Sequence, residues 1–175
     1  MRSVRLMTLA AALVFTFSAN VFAETKVEVK GVHLCCPACV KAVGGILKDV
    51  EGVQGKCDTK AKTITITAKD DETAQKALDA LAAGGFHGDT GNDKLKMKDD
   101  SGAEAGKVKS ITVSGVHNCC GACCKAIKAT VAKVEGVKGE TAKPKLETFE
   151  VTGDFDAAEL VKALNAAGFH VKVKK

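Results

Sequence analysis

Two periodicities alternate along this chain. Val27 and Val29 are separated by Lys26, Glu28 and Lys30, the period-two pattern of a strand with one buried face. Val40, Val43, Ile46, Leu47 and Val50 then recur at helical spacing, with Pro37 suited to a first helical position and Gly52 closing the segment. Val53 to Asp58 and Thr63 to Thr67 predict two strands joined by a Lys/Asp-rich turn, the second alternating Ile64 and Ile66 with threonines. Asp71 is placed to cap a second helix carrying Ala74, Ala77, Leu78 and Leu81, which runs out at Gly84-Gly85. A short strand is expected to follow, and whether Leu95 and Met97 belong to it is left open.

The same order then returns. Ile111 and Val113 mark a strand, Ile127, Val131 and Val134 a helix, Phe149 and Val151 a strand, and Leu160, Val161 and Leu164 a second helix. Asp156 and Glu159 stand at capping-box spacing before that last helix. Residue identities repeat as well: Gly31-Val32-His33-Leu34-Cys35-Cys36-Pro37-Ala38-Cys39 returns as Gly115-Val116-His117-Asn118-Cys119-Cys120-Gly121-Ala122-Cys123, and Gly85-Phe86-His87 returns as Gly168-Phe169-His170. Register held over so much of two segments means a duplicated domain. Each copy reads βαββαβ, the ferredoxin-like α+β arrangement with helices on one face of an antiparallel sheet. The expected organisation is a first domain at 24–99, a linker at 100–107 and a second domain at 108–175.

Residues 1–23 change the picture of where the protein works. Arg2 and Arg5 precede an apolar run from Leu6 to Phe17, and Val21-Phe22-Ala23 has the small-x-small form of a cleavage site. The expectation is a signal peptide and a periplasmic or secreted protein beginning near Glu24, with no membrane insertion after cleavage. The formal charge of +5 falls to +3 without those two arginines, the only ones in the chain. A surface of lysine without arginine, Trp or Tyr is poorly equipped for phosphate forks or base stacking, so nucleic acid is not an expected partner. No Ser/His/Asp pattern, Gly-rich phosphate loop or paired carboxylates suggest catalysis, and the chain reads as a non-enzyme.

The chemistry lies in the cysteines. Seven of the eight crowd into two clusters, each opening a predicted helix at the same place in the repeat. A helix N-terminus carries unpaired N–H groups and partial positive charge, which favour thiolates. Thiolates three residues apart on such a turn converge on one ion, which nominates Cys36 with Cys39 and Cys120 with Cys123. Cys35 and Cys119 precede the pairs and are open between third ligand and unused thiol. Cys124 takes the place of Val40 on the helix stripe and reads as core. Cys57, in strand phase with Val53, reads as structural, although its strand ends at the edge that bears the cysteine loop. His33, His117, His87 and His170 fall at that edge in repeat-equivalent pairs, and ligation by them is left open. Phe86 and Phe169 read as lids of the core near the same end.

On these residues both copies resemble heavy-metal-associated domains, a family that includes copper chaperones, N-terminal modules of copper-transporting P-type ATPases and periplasmic mercury-binding proteins. The resemblance covers roughly 25–90 and 108–173. The family motif, Gly-Met-x-Cys-x-x-Cys between first strand and first helix, maps its cysteines onto Cys36 and Cys39, and onto Cys120 and Cys123. His33 and His117 replace the motif glycine, Leu34 and Asn118 the methionine, and Cys35 and Cys119 are additions. The resemblance implies ion transfer by ligand exchange, with a metal-transporting or metal-accepting protein as partner.

Soft thiolates point to Cu(I) first, with Zn(II), Hg(II) or Cd(II) behind it. Were the adjacent histidines to bind, a Cys₂His₂ set would favour zinc. The expected function is to sequester or transfer such ions, each copy holding its own. A thiol–disulfide redox protein using the same pairs is the alternative, and an interaction module with stabilising disulfides a third.

Overall fold

The structure is a computed structural model and describes residues 24–174; the signal-peptide reading of residues 1–23 lies outside the described residues. The first copy comprises β1 (Thr25–Lys30), α1 (Pro37–Lys48), β2 (Val53–Asp58), β3 (Thr63–Ala68) and α2 (Asp71–Ala83). The second comprises β4 (Lys107–Ser114), α3 (Gly121–Val131), β5 (Val137–Glu140), β6 (Phe149–Asp156), α4 (Ala157–Ala166) and β7 (Lys172–Lys174). Helices pack on one face of an antiparallel sheet in each, as the periodicities predict. Val27 pairs with Ile66 and Val29 with Ile64, so the alternating patterns of β1 and β3 bury on the same face. In the second copy Ile111 faces Val151 and Val113 faces Phe149.

The sheets differ by one strand. The second has the full order β5-β6-β4-β7, whereas the first has only β1-β3-β2. Where the first copy's last strand was expected, Lys30 and Asp89 exchange one pair of backbone hydrogen bonds (2.8 and 2.9 Å) and the ladder stops. Side chains take over the backbone donors beyond that point. Asp89 accepts from Gly91 N–H (2.9 Å) and Asn92 from Lys94 N–H (2.9 Å), and these turns compete with an extended strand. Leu95 is buried and Met97 packs on the core, both outside any strand.

Helix ends follow the sequence with small shifts. Asp70, one residue before the expected cap, is extended (φ −162°) and accepts from Thr73 N–H at 2.7 Å. Asp156 accepts from Ala158 and Glu159 N–H, but Glu159 turns outward to Lys162, leaving half a capping box. The stripe of α1 is rotated from its expected position: Cys39, Val43 and Leu47 are buried, and Val40, Ile46 and Val50 are only half-buried. In α3 the buried set is Cys123, Cys124, Ile127 and Val131.

The copies meet through repeat-equivalent residues, as in an isologous contact. Phe86 and Phe169 form an antiparallel bridge, His87 N–H donates to Gly168 C=O and His170 N–H donates to Gly85 C=O, both at 3.1 Å. Gly85 and Gly168 have φ of +81° and +89°, and a Cβ on either would run into the backbone of the opposite copy beside His117 or His33. The connecting segment is tied at both ends. Gln75 holds the backbone of Lys96 from α2, and Ser101 C=O accepts from Val173 N–H of β7 at 2.8 Å.

Candidate metal site

Each cysteine loop is anchored before it reaches the helix. Gly31 and Gly115 turn the chain out of β1 and β4 with φ of +76° and +72°. Val32 and Val116 are then buried, as are Leu34 and Asn118 two residues on. Asn118 donates its amide N–H groups to Lys143 C=O (2.7 Å) and Leu146 C=O (3.0 Å), while its Oδ1 is buried without a partner, so a polar residue fills the place of an apolar one. Cys36 and Cys120 are the N-cap residues of α1 and α3, extended in φ, with no side-chain capping hydrogen bond. Neither thiol is tied up in a cap, although the Cys120 sulfur lies close enough to the first N–H groups of α3 to feel them.

The two loops face each other across the interface between the copies. Cys36 and Cys39 Sγ are 3.6 Å apart, and Cys120 and Cys123 Sγ are 3.8 Å apart. The same sulfurs also reach across: Cys39 to Cys119 at 3.7 Å, Cys39 to Cys123 at 3.9 Å, Cys36 to Cys119 at 3.8 Å and Cys35 to Cys123 at 3.4 Å. Cys35 and Cys119, open in the sequence between ligand and spare thiol, both lie inside this group. The expectation of two separate sites, one per copy, therefore gives way to six sulfurs in one place. The signal for this in the sequence was the repeated Gly-Phe-His after α2 and α4, which builds the contact that brings the loops together.

Cys57 and Cys124 lie apart from the group. Cys124 is buried in α3 and its thiol points to Ala142 C=O at 3.5 Å, while Cys57 pairs with Ile64 in the sheet. All eight cysteines are free thiols.

Crowding sets the protonation pattern. Burial raises the Cys35 thiol to about 12, and burial likewise raises Cys119 and Cys123. Cys120 is lowered to about 6, chiefly by the backbone N–H of Cys123 at the start of α3. Burial opposes ionisation of Cys39, but hydrogen bonds from the backbone of Cys35 and the thiols of Cys36, Cys119 and Cys35 outweigh it and hold Cys39 low. The group thus sets sulfurs that ionise more readily, Cys39 and Cys120, beside thiols that burial holds up, and sulfur donors of this kind suit a soft cation.

Histidines and phenylalanines wall the site in crossed pairs. His33 stacks on Phe169 (centroids 4.4 Å apart) and His117 on Phe86 (4.3 Å). The phenylalanines are thus more than lids over their own cores. Nε2 of both histidines is buried without a hydrogen-bond partner. A ring nitrogen of His33 lies within 4.8 Å of the sulfurs of Cys35 and Cys123, close enough to share an ion with them. His87 and His170 sit away from the sulfurs and face each other, Nδ1 to Nδ1 at 3.3 Å, with His170 Nε2 against Asp100 at 2.8 Å.

This geometry can hold a soft metal ion. The family model for the heavy-metal-associated domain matches residues 110–170, within the second copy. A comparison with curated proteins found no match. Among solved structures the chain is similar to the N-terminal soluble domains of Bacillus subtilis CopA, at 18% identity over 87% of this chain and 95% of that one, with a TM-score of 0.30. It is also similar to the water soluble region of the P-type ATPase CopA from the same organism, at 19% identity over 87% and 92%, with a TM-score of 0.31. A periplasmic or secreted location does not stand: the matching structures are soluble regions of a P-type ATPase, and the residues that suggested export lie outside those described. No helix among the described residues is long and apolar enough to cross a membrane.

Proposed function

We propose that the protein is a non-enzymatic binder of soft metal ions, with Cu(I) as its ion, held by Cys36, Cys39, Cys120 and Cys123 and joined by Cys35 and Cys119. The observation that carries this reading is the convergence of these six sulfurs at the N-termini of α1 and α3. Thiolates select Cu(I) over harder divalent ions, and the partial positive charge of two helix ends supports an anionic donor set. The role is sequestration. Sulfur donors drawn from both loops slow release, whereas exchange with a metal-accepting partner would pass through Cys35, the exposed member of the group.

Protein purified without air or added metal and titrated with Cu(I) against a chelator is expected to take the ion from the chelator. Changing Cys36, Cys39, Cys120 and Cys123 together to Ser is expected to abolish this. Uptake that survives the fourfold change would overturn the reading. A metal-free protein whose thiols cycle readily through disulfides would select the redox alternative instead.

A further inference from the structure

The six sulfurs form a closed polyhedron. Cys36, Cys39 and Cys119 make one triangular face with edges of 3.6, 3.8 and 3.7 Å. Cys35, Cys39 and Cys123 make a second with edges of 3.7, 3.4 and 3.9 Å. Cys35, Cys36 and Cys120 make a third, and Cys119, Cys120 and Cys123 a fourth, each with all its sulfurs within 4.8 Å of one another. Any two of these faces share a single sulfur, and every sulfur belongs to two faces. That is the connectivity of a cluster in which each thiolate bridges two ions.

We propose that the two loops together form one polynuclear thiolate cluster that takes four Cu(I) ions, one on each three-sulfur face. This rests on the soft-metal reading and deepens it. With a metal–sulfur bond of about 2.3 Å, three sulfurs around one ion stand roughly 4.0 Å apart in trigonal geometry, so the observed edges need only a small expansion. Zinc is served less well, because it requires four donors and each face offers three sulfurs. Among the described residues only the Cys35–Cys123 edge has a further donor at hand, His33. Loading releases the remaining thiol protons to solvent and needs no oxidant or reductant. Six thiolates with four monovalent cations leave a net charge of −2, which lies between the N-termini of α1 and α3 where negative charge is stabilised.

Three of the four faces draw sulfurs from both copies, so the cluster exists only while the copies are docked. Separated copies would each retain one ion, on the Cys36–Cys39 pair in the first and on the Cys119, Cys120 and Cys123 face in the second.

The experiment is an anaerobic Cu(I) titration of the reduced full chain against a chromophoric chelator, with X-ray absorption at the copper edge. Four ions per chain and short copper–copper scattering are expected. Two ions per chain without that scattering would overturn the cluster while leaving the soft-metal reading intact, and no uptake would overturn both. Gly85→Ala forces a Cβ into the opposite copy and is expected to halve the capacity. Should that variant fail to fold, Cys35→Ser with Cys119→Ser leaves the interface and both Cys-x-x-Cys pairs intact. It is expected to lose copper–copper scattering and to hold fewer than four ions; four ions retained in either folded variant would sink the proposal. Cys57→Ser, which alters a thiol outside the cluster, is expected to keep all four, and a loss there would overturn the assignment of sulfurs.

Discussion

Cys36 and Cys39 do different work although a motif treats them as a pair. Cys39 is fully buried on the stripe that α1 turns to the core, beside Val43 and Leu47, whereas Cys36 stands at the helix N-cap with its thiol free of capping bonds. Serine at the cap can accept from the helix N–H groups, which thiols do poorly. Serine at Cys39 replaces the buried sulfur on which the thiols of Cys35, Cys36 and Cys119 converge with a shorter, smaller hydroxyl, leaving buried donors without their acceptor at a cost of about 1–3 kcal/mol. In the metal-free protein Cys39→Ser is therefore expected to lower the urea midpoint clearly, and Cys36→Ser to leave it unchanged or raise it slightly. Equal losses would mean that the cap and core assignments are wrong. The burial of Cys39 was not legible in the sequence, because Val40, Val43, Ile46 and Leu47 admit a stripe one position away and cysteine suits either face. That same burial gives two cysteines a double membership: Cys39 and Cys123 belong both to the sulfur group and to the core.

Among the elements, the caps make the sharpest comparison. Asp156 accepts from Gly106 N–H (2.8 Å) as well as from Ala158 and Glu159, so it joins the start of β4 to α4, while Asp70 serves α2 alone. The Gly106 bond is the first reason that the Asp156 carboxyl is held below its ordinary 3.8. A carboxyl lowered in the folded state contributes stability above pH 3.8 that is lost as pH falls through the lower folded value. Asp156→Ala is expected to lower Tm more than Asp70→Ala at neutral pH, with the difference shrinking in acid; a larger effect of Asp70→Ala would contradict this. The order of elements was legible from β1 to α2 and through the second copy, since period two and period 3.6 alternate there. The missing last strand of the first copy was not, because it is prevented by side-chain turns at Asp89 and Asn92 that residue type alone does not distinguish from a strand end.

Across the whole molecule the contact between the copies carries a pH dependence. Burial lowers the His87 ring to about 4, the facing His170 adds to this, and Asp99 opposes it. A histidine lowered from 6.5 in the folded state binds fewer protons there than when released, so its docked form weakens as pH falls from 6.5 toward 4. In the metal-free protein, energy transfer between probes on the two copies is expected to fall over that interval. Asn in place of His87 should flatten the response, and a pH-independent signal in the unaltered chain would refute the assignment. The candidate ligands were legible one loop at a time. Their meeting was not, since it depends on how two folded copies dock. The strapping of the connecting segment, at Gln75 on one side and Val173 on the other, has a consequence for dilution. Two unlinked copies would have to find each other by collision, and their shared site would vanish in dilute solution. A short tether instead presents each loop to its counterpart at an effective concentration of about millimolar, whatever the abundance of the chain. Ion capacity per chain should then be the same at nanomolar and micromolar protein.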